Sequence, residues 1–322
     1  MSDAAIRCEG LTRRFGSVLA LDNLTLEVKS GSVFGFLGPN GAGKTTTIKL
    51  LTGLLHPTSG SAYVAGDRIQ VEQAKARSHF GYLPEDPVFY TWMTARELLT
   101  YAGQLFGVPA NTLRARVETL LEMVGLKSVA KRKVGGFSRG MRQRLGLAQA
   151  LVNDPKVLIL DEPASALDPI GRHEVLALIQ QLRARDGMTI FMSTHILADV
   201  ERTCDTVAII DHGKLLTVAD QEELRRRYAV PVFTAVVGGE EPDIRALHER
   251  MKSLPWADHV ERSGDTLRVF ARDEETARRE LPAVITSSPA ILLRYEVGTS
   301  SLEDAFLRVL GRESGPRAAG GA

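Results

Sequence analysis

The chain has 322 residues, of which 44% are hydrophobic and 25% are charged. This length favours about two domains, and the composition is that of a soluble globular protein. The formal net charge of +1 excludes an overall electrostatic field that would draw the chain to nucleic acid or to acidic lipid.

The N-terminal segment shows no feature of a secreted or membrane-spanning protein. The apolar run of a signal peptide is missing from MSDAAIRCEGLTRRF. No window approaches the ~18 apolar residues that a membrane helix needs. The two cysteines, Cys8 and Cys204, are far apart in sequence, which indicates neither a disulfide framework nor a metal cluster. We therefore expect a protein of the reducing cytoplasm, whose contact with any membrane is made through a partner.

Up to about residue 218, apolar runs alternate with amphipathic stretches. An antiparallel accessory sheet is predicted from LALDNLTLEVKSG, where apolar and polar residues alternate. Buried strands are predicted in SVFGFLG, KVLILDEP, MTIFMSTH and TVAIIDHG. Helices are predicted in GKTTTIKLLTGLL, from about Pro169 to Arg185, and in ILADVERTC. Strands that alternate with helices are typical of an α/β fold with a mostly parallel sheet covered on both faces.

A helical insertion interrupts this alternation between about residues 86 and 153. Helical spacing of apolar residues occurs in TARELLTYAGQLFG, in TLRARVETLLEMVG and in RGMRQRLGLAQALVN. We assign residues 1–220, with this insertion, to a first domain.

A second, smaller domain is predicted for residues 221–311. The strands are expected in VPVFTAVVGG, DHVERSG, DTLRVFARD and PAILLRYEVG, and the helices in EPDIRALHERMKSL and EETARRELPAVITS. The order βαββαβ predicts an α+β unit of the ferredoxin-like type. The amphipathic segment SLEDAFLRVLG follows it, and residues 312–322 are expected to be a disordered tail.

The phosphate-binding loop pattern is matched by GPNGAGKT, from Gly38 to Thr45. Successive backbone N–H groups must turn inward around a phosphate, and a Cβ at the turning positions would obstruct that turn. The helix that follows presents free N–H groups and its positive dipole end to the anion. A chance turn between a strand and a helix is the alternative. We predict a loop that wraps a triphosphate, made of Gly38, Pro39, Asn40, Gly41, Ala42, Gly43, Lys44, Thr45 and Thr46.

Within this loop and at the end of a later strand, polar side chains suit a magnesium-bound triphosphate. Lys44 can reach the β- and γ-phosphates, and the Thr45 hydroxyl can ligate Mg²⁺. Asp161 and Glu162 end the buried strand KVLILDEP, at the edge where open parallel sheets bind ligands. Asp161 is placed to hold the Mg²⁺ shell, and Glu162 to orient the attacking water. Two solvated acids capping a strand are the alternative interpretation.

Three further motifs carry a family resemblance. They are GGFSRGMRQRLGLAQAL (Gly135 to Leu151), SALD (Ser165 to Asp168) and STH (Ser193 to His195). With the loop and the acidic strand, they make the chain resemble the ATP-binding cassette (ABC) ATPases over about residues 4 to 218. The family usually carries LSGGQ where this chain has FSRGM. Ser138 and Gly140 match that pattern, and the other three positions depart from it.

The resemblance implies a P-loop NTPase (RecA-like) fold, ATP and Mg²⁺ as cofactors, and further site residues. Ser138 and Gly140 would contact nucleotide, and His195 would contact the γ-phosphate and help to fix the water. Asp168 would link two sites across a dimer, and Phe15 would stack on adenine. Glu85 stands where many relatives place a glutamine that touches Mg²⁺ and the water. A carboxylate also ligates Mg²⁺, so Glu85 is a candidate metal ligand.

The family works as a pair of cassettes, with ATP between the phosphate loop of one and the serine-containing loop of the other. The resemblance therefore implies a head-to-tail homodimer with two ATP sites. It also implies a separate integral-membrane permease, docked near Glu85–Thr94. The aromatic residues Phe89, Tyr90 and Trp92 are either ordinary core or, if exposed, an apolar patch for that partner.

The function implied is that of an ATP-hydrolysing subunit of a membrane transporter, peripheral on the inner face of the cell membrane. The single cassette, the small second domain and SLEDAFLRVLG are similar to ATPases of drug and polysaccharide export systems. A soluble cassette ATPase acting on ribosomes or nucleic acid is the alternative. It is disfavoured by the lack of a second cassette, of coiled coils and of basic charge, and no nucleic-acid partner is expected. A regulator without turnover is disfavoured by Lys44, Asp161, Glu162 and His195.

Overall fold

The computed structural model describes residues 4–71, 78–165, 167–228 and 230–311. The tail predicted to be disordered, residues 312–322, lies outside the described residues, as does Ala166 of the SALD motif. The chain divides into two compact units, Met1–Gln221 and Glu222–Ala322.

The first unit contains ten labelled strands and six labelled helices among its described residues. The strands are β1 (Ala4–Phe15), β2 (Val18–Lys29), β3 (Val33–Leu37), β4 (Ser59–Val64), β5 (Asp67–Arg68), β6 (Phe80–Leu83), β7 (Val157–Asp161), β8 (Thr189–Thr194), β9 (Thr206–Asp211) and β10 (Lys214–Asp220). The helices are α1 (Lys44–Leu51), α2 (Ala95–Leu105), α3 (Ala110–Met123), α4 (Arg139–Ala150), α5 (Pro169–Asp186) and α6 (Leu197–Thr203).

The central sheet of this unit is almost entirely parallel. Its strand order is β10-β9-β3-β8-β7-β6, and each neighbouring pair from β9 to β6 is parallel. β10 joins β9 as an antiparallel edge strand. Every residue of β3, β7 and β8 is buried, as expected for strands covered on both faces. The predicted α/β class with a mostly parallel sheet is confirmed.

The accessory sheet is antiparallel and has the order β2-β1-β4-β5. On β2, the buried side chains of Leu24, Leu26 and Val28 alternate with exposed ones, as the sequence pattern predicts. They belong to the same apolar core as Phe34 and Phe36 of the central strand β3. The accessory sheet therefore covers the region from which the phosphate-binding loop emerges.

The helical insertion lies between β6 and β7 and consists of α2, α3 and α4. α2 begins with a reciprocal cap, in which Glu97 N–H donates to Thr94 Oγ1 at 3.2 Å and Thr94 N–H donates to Glu97 Oε2 at 2.8 Å. The Thr94 N–H and the Thr94 hydroxyl both donate to the Glu97 carboxylate, and these two hydrogen bonds lower the Glu97 pKa. The end of the segment that precedes α2 is thus fixed.

The second unit has the predicted order of elements. They are β11 (Pro231–Gly238), α8 (Glu241–Lys252), β12 (Ala257–Ser263), β13 (Thr266–Ala271), α9 (Glu274–Thr286), β14 (Ile291–Thr299) and α10 (Leu302–Val309). Helix α7 (Gln221–Tyr228), which the sequence did not predict, precedes them. The sheet order is β12-β13-β11-β14, with every pair antiparallel. The predicted α+β, ferredoxin-like arrangement is confirmed.

Membrane-spanning helices are absent from the part of the chain that the structure describes. None of the helices found there combines the length and the apolarity that a span requires.

Candidate nucleotide site

The loop from residue 38 to residue 43 connects β3 to α1 and requires glycine at both ends. A Cβ on Gly38 would lie 2.3 Å from the carbonyl oxygen of Ile210. Gly43 has a φ of 105°, and a Cβ there would lie 2.7 Å from Ala20 O. Side chains at these two positions are excluded by backbone, which cannot move aside cheaply. The loop therefore approaches β2 and β9 closely and keeps its inner surface clear.

Helix α1 directs its N-terminus into the space that the loop surrounds. Gly43 is its N-cap residue, and no described side chain caps it. The first N–H to close the helical ladder is that of Thr47, which donates to Gly43 O at 2.9 Å. Earlier N–H groups of a first turn have no partner inside their helix, and the dipole adds partial positive charge there. This end of α1 is suited to an anion such as a phosphate.

The Lys44 ammonium is buried among oxygen acceptors. Its Nζ donates to Gly38 O at 2.8 Å and to Pro39 O at 3.1 Å. It also lies 3.2 Å from Glu162 Oε1, and both side chains are less than a tenth exposed. The first of these contacts folds the lysine back along the loop. The last joins the loop to the end of β7.

Asp161, the last residue of β7, is fixed by the neighbouring strand. It is paired in register with Ser193 of β8, whose Oγ donates to Asp161 Oδ1 at 2.7 Å. Thr45 Oγ1 lies 3.4 Å from the same carboxylate oxygen. Burial raises the pKa of Asp161 above its usual value, and the hydrogen bonds from Ser193 and Thr45 oppose that rise. The two hydroxyls thus hold a buried carboxylate at the foot of the loop.

Glu162 adopts a strained backbone conformation directly after β7. Its φ is 47°, in the left-handed region, which costs a residue with a side chain on the order of 1 kcal/mol or more. Its N–H donates to Ser193 Oγ at 3.0 Å, and its Oε2 lies 2.9 Å from His195 Nδ1. The carboxylate is buried, whereas the imidazole is 39% exposed. Strain of this kind at a cleft is typical of a residue aimed for function.

Lys44, Glu162 and His195 meet in an open cleft of about 260 Å³, and Asp161 lies outside its lining. The lining residues from the loop and the start of α1 are Asn40, Gly41, Gly43, Lys44, Thr45 and Thr46. Ala20, Glu85, Glu162 and His195 complete the lining. The structure therefore brings most of the predicted phosphate-loop residues together with both predicted catalytic residues and with Glu85. Pro39 and Ala42 do not line the cleft. They hold a turn of the loop, in which Ala42 N–H donates to Pro39 O at 3.2 Å.

Four predicted nucleotide-binding residues from outside the phosphate loop do not line this cleft. Ser138 and Asp168 are N-cap residues of α4 and α5, where their side chains accept from Met141 N–H and Gly171 N–H, each at 3.3 Å. Gly140 lies in the first turn of α4. Phe15 ends β1 with its ring 45% exposed, and the Arg13 guanidinium lies 4.5 Å from the ring centroid. Within one chain, none of these four residues belongs to the lining of the cleft.

Two features of the site were not predicted as such. Ser193 bonds both acids; its motif was noted, but its role depends on the pairing of β7 with β8. The buried carboxylate of Asp199 in α6 accepts a hydrogen bond from Arg172 Nε of α5 and forms an ion pair with Arg172 Nη2, each at 2.7 Å. Neither Arg172 nor Asp199 belongs to a motif that sequence reasoning singled out.

The oxygen groups at the foot of the loop fit a magnesium ion bound with a nucleotide. Within the described residues, no group of three or more His, Cys, Asp or Glu side chains could hold a metal by itself. Mg²⁺ prefers oxygen ligands and is usually bound by one or two protein groups together with water and substrate phosphates. The Thr45 hydroxyl and the Asp161 carboxylate, 3.4 Å apart, are such a pair.

Comparison with known proteins places this geometry in a family. The family model described as "ABC transporter" matches residues 21–165. The uncharacterized ABC transporter ATP-binding protein YxlF of Bacillus subtilis (strain 168) is 39% identical over 302 residues, covering 94% of this chain and 98% of that protein. The chain belongs to the ABC transporter ATP-binding proteins. It is an ATPase subunit of this class, and ATP is its nucleotide.

Other relatives of this ABC ATPase carry a more specific name. The Nod factor export ATP-binding protein I of Ralstonia nicotianae (strain ATCC BAA-1114 / GMI1000) is 38% identical over 316 residues, covering 97% of this chain and 95% of that protein. The solved "ATP binding subunit of ABC transporter" superposes with a TM-score of 0.64 at 32% identity, covering 70% of this chain and 93% of that one. The fold and the ATPase class predicted from the motifs are confirmed.

Proposed function

We propose that this ABC ATPase binds and hydrolyses MgATP in the cleft at the phosphate loop, and drives export through a separate permease. The observation that carries the proposal is the meeting of Lys44, Glu162 and His195 beside the N-terminus of α1. A cation, a strained carboxylate and an imidazole together supply what phosphoryl transfer to water requires. The names of the Nod factor relatives support export rather than import.

Nucleotide binding rests on the loop and on the first turn of α1. The N–H groups of Gly41 to Thr46 surround the phosphates, and the Lys44 ammonium leaves the Glu162 carboxylate for a phosphate oxygen. Thr45 and Asp161, with Glu85 at the cleft wall, would hold Mg²⁺, which neutralises developing charge on the phosphates when bound. Thr46 lines the cleft and is available for a further phosphate oxygen.

Hydrolysis requires a water in line with the γ-phosphate, and Glu162 is placed to orient it. The left-handed backbone turns this carboxylate toward Lys44 and His195, so that it faces the end of the triphosphate. His195 fixes the carboxylate through Nδ1, and its exposed ring remains available to the γ-phosphate. Glu162 is therefore the catalytic residue and His195 its partner in fixing the water.

Completion of the site requires a second copy of the chain. Ser138 and Gly140 stand at the free N-terminus of α4, which suits phosphate, but outside the cleft of their own chain. A head-to-tail pair would bring each Ser138 to the nucleotide on the other copy, and Asp168 to the boundary between the two sites. Phe15, with one ring face covered by Arg13, presents the other to adenine. ATP drives closure because it binds the closed pair better than the open one.

The surface before α2 is suited to the permease. Val88, Tyr90 and Trp92 are 89%, 46% and 65% exposed, and the rings of Tyr90 and Trp92 lie 4.9 Å apart. Exposed apolar groups of this size in one short segment are typical of a protein interface. Phe89 is only half-buried. We assign this segment to docking a membrane subunit, which would hold the ATPase on the inner face of the membrane.

The proposed ATPase activity is tested by substitution of the loop cation. Lys44→Ala should weaken MgATP binding at least about tenfold, because a buried charge-assisted contact to phosphate is lost. Calorimetric titration and steady-state phosphate release measure the two steps. Lys127→Ala, which removes an exposed lysine paired with Glu122, is the matched control and should leave both unchanged. A wild-type protein that shows no affinity for MgATP would contradict the proposal.

The proposed docking surface is tested by membrane fractionation. Trp92→Glu should lower recovery in the membrane fraction of cells that co-express the permease, and should leave MgATP binding unchanged. Leu54→Glu alters a side chain that is similarly exposed, at 56%, on a different part of the unit, and serves as control. Equal recovery of the Trp92 variant and wild type would remove this segment from the interface.

A further inference from the structure

The sheet of the second unit has one edge that is rich in exposed apolar side chains. The strand order makes β12 and β14 the edge strands. On β14, Ile291, Leu293 and Val297 are 63%, 66% and 37% exposed. Within the described residues, β12 contributes no large apolar side chain to the exposed surface. The exposed apolar side chains therefore lie on the β14 edge and not on the β12 edge, as expected if β14 meets a partner and β12 faces solvent.

An edge strand of this length is a template for further pairing. β14 spans nine residues, Ile291 to Thr299, and contains no proline. One row of its backbone N–H and C=O groups bonds to β11, and the row on the other side faces outward. Proteins that keep an edge unpaired usually shorten it, insert proline or a β-bulge, or surround it with charge. The pairing of β14 with β11 shifts register once, between Leu292 and Arg294, and is regular from Arg294 to Thr299. β14 has a single oppositely charged pair, Arg294 and Glu296.

That pair makes β14 complementary to itself. Arg294 and Glu296 are two residues apart, so their side chains share one face of the strand, and Arg294 Nε donates to Glu296 Oε1 at 3.0 Å. Both side chains are more than half exposed. We propose that β14 pairs antiparallel with β14 of a second copy of this chain, around a two-fold axis beside Tyr295.

The register follows from the two-fold axis. Arg294 then lies opposite Glu296 of the second copy, and Glu296 opposite Arg294 of the second copy. The next position along the strand sets the exposed Val297 opposite Leu293 of the second copy, where the pairing of β14 with β11 shifts register. An axis beside Arg294 or beside Glu296 would instead set like charges face to face, which is unfavourable in a cross-strand pair. The charges thus select one register and one partner, because only an identical strand matches both positions at once.

This interface is distinct from the nucleotide-dependent pairing of cassettes proposed above. It joins second units, uses no residue of the cleft and requires no ATP. We therefore expect the full-length chain to dimerise without nucleotide, and sedimentation velocity over a range of protein concentrations measures that equilibrium. A wild-type chain that remains monomeric without nucleotide over the whole range would overturn the proposal, whether or not it binds ATP.

Charge reversal tests the register. In nucleotide-free protein, Arg294→Glu sets two glutamates opposite each other in both cross-strand pairs, and Glu296→Arg sets two arginines. Each variant alone should raise the dimer dissociation constant about tenfold, because two attractive cross-strand pairs become repulsive. An equimolar mixture of the two variants should dimerise as wild type does, because every pair across the axis is again opposite in sign. The double variant Arg294→Glu/Glu296→Arg should also recover.

The mixture separates the interface from any effect within one chain. Loss of the Arg294–Glu296 contact inside each chain occurs in both single variants and is not repaired by mixing them. Arg245→Glu is the matched control, because Arg245 forms a similarly exposed ion pair with Glu241 on α8. It should leave the dissociation constant unchanged. Single variants that dimerise as tightly as wild type, or a mixture no tighter than either variant alone, would overturn the proposal.

Discussion

Glu162 combines three features that are individually uncommon: a buried carboxylate, a left-handed backbone, and contacts with both Lys44 and His195. The backbone conformation costs free energy, and it persists because Ser193 accepts a hydrogen bond from the Glu162 N–H at 3.0 Å. The same serine holds Asp161. One small hydroxyl in β8 therefore positions both acids of the site.

The first prediction concerns Glu162→Gln. Turnover should fall by about 100-fold or more, because the amide cannot act as a base toward water. MgATP affinity should be equal to or higher than that of wild type, because no ion pair between Lys44 and a carboxylate has to break before Lys44 contacts the phosphate. Phosphate release measures the first quantity, and nucleotide titration the second.

Glu122→Gln provides the control for this substitution, since Glu122 is an exposed acid paired with Lys127. It should change neither turnover nor affinity. Unchanged turnover in the Glu162 variant would remove this residue from the catalytic role.

Local pattern accounts for much of what was predicted at this scale. The loop residues and Lys44 follow from one contiguous stretch whose glycines and strand–helix setting belong together. The contact between Lys44 and Glu162, and the two bonds of Ser193, depend instead on which strands are neighbours in the sheet. Sequence spacing alone does not determine that pairing, so these contacts could not be predicted.

Among the elements, α5 and α6 are connected by an ion pair with a buried carboxylate, which joins two parts of the site. Arg172 lies in the first turn of α5, four residues after the N-cap Asp168. Asp199 lies in α6, four residues after His195. Burial raises the pKa of Asp199, and the bonds from Arg172 oppose that rise. The pair therefore fixes the helix of Asp168 against the helix that follows His195.

Removal of the arginine should destabilise the protein more than removal of the acid. Arg172→Met leaves the Asp199 carboxylate buried without its cation, and should lower the free energy of unfolding by about 3 kcal/mol. Asp199→Asn leaves Arg172 with partial access to water, at 31% exposure, and should cost less. Urea unfolding of the full-length chain compares the two variants.

An exposed pair shows what a solvent-screened contact contributes. Arg278→Met in α9 breaks an ion pair with Glu274 whose side chains are both about half exposed. It should cost no more than about 0.5 kcal/mol. If Arg172→Met lowered the free energy of unfolding no more than this control does, the Arg172–Asp199 pair would not hold α5 and α6 together.

Elements with a strong period were predictable, and irregular ones were not. The fully apolar β3, β7 and β8 and the amphipathic α2, α3 and α4 follow directly from their patterns. β1 was missed because register shifts along its pairing with β2 break the alternation of its side chains. β5 is two residues long, too short to carry a period. Helix α7 is strongly polar and has few apolar residues to reveal its face.

At the scale of the whole molecule, the site residues separate into two groups. Lys44, Glu162 and His195 share one cleft, whereas Ser138, Gly140 and Asp168 stand at helix ends outside it. Sequence motifs predicted both groups, but spacing along the chain does not show that they fall apart within one copy. A head-to-tail homodimer accounts for both groups with a single arrangement.

Such a dimer predicts complementation between two inactive variants. Lys44→Ala removes the loop cation, and Ser138→Arg places a bulky side chain at the end of α4. In a mixed pair, one site carries both changes and the other carries neither. Mixing the two variants should therefore raise phosphate release above that of either variant alone.

Specificity of this effect is checked by mixing Lys44→Ala with Glu162→Gln. Both changes affect residues that the same copy supplies to its own site, so neither site of a mixed pair is intact. This mixture should stay inactive. No gain in the Lys44–Ser138 mixture would contradict the head-to-tail arrangement.

The contact between Lys44 and Glu162, at 3.2 Å, also affects the affinity for ATP. An incoming phosphate does not meet a bare cation but competes with an acid that already occupies it. The affinity for ATP then depends on the difference in free energy between the Lys44–phosphate contact that forms and the Lys44–Glu162 contact that breaks. If Glu162 orients the attacking water, the same exchange frees the acid for that role only when the triphosphate has arrived.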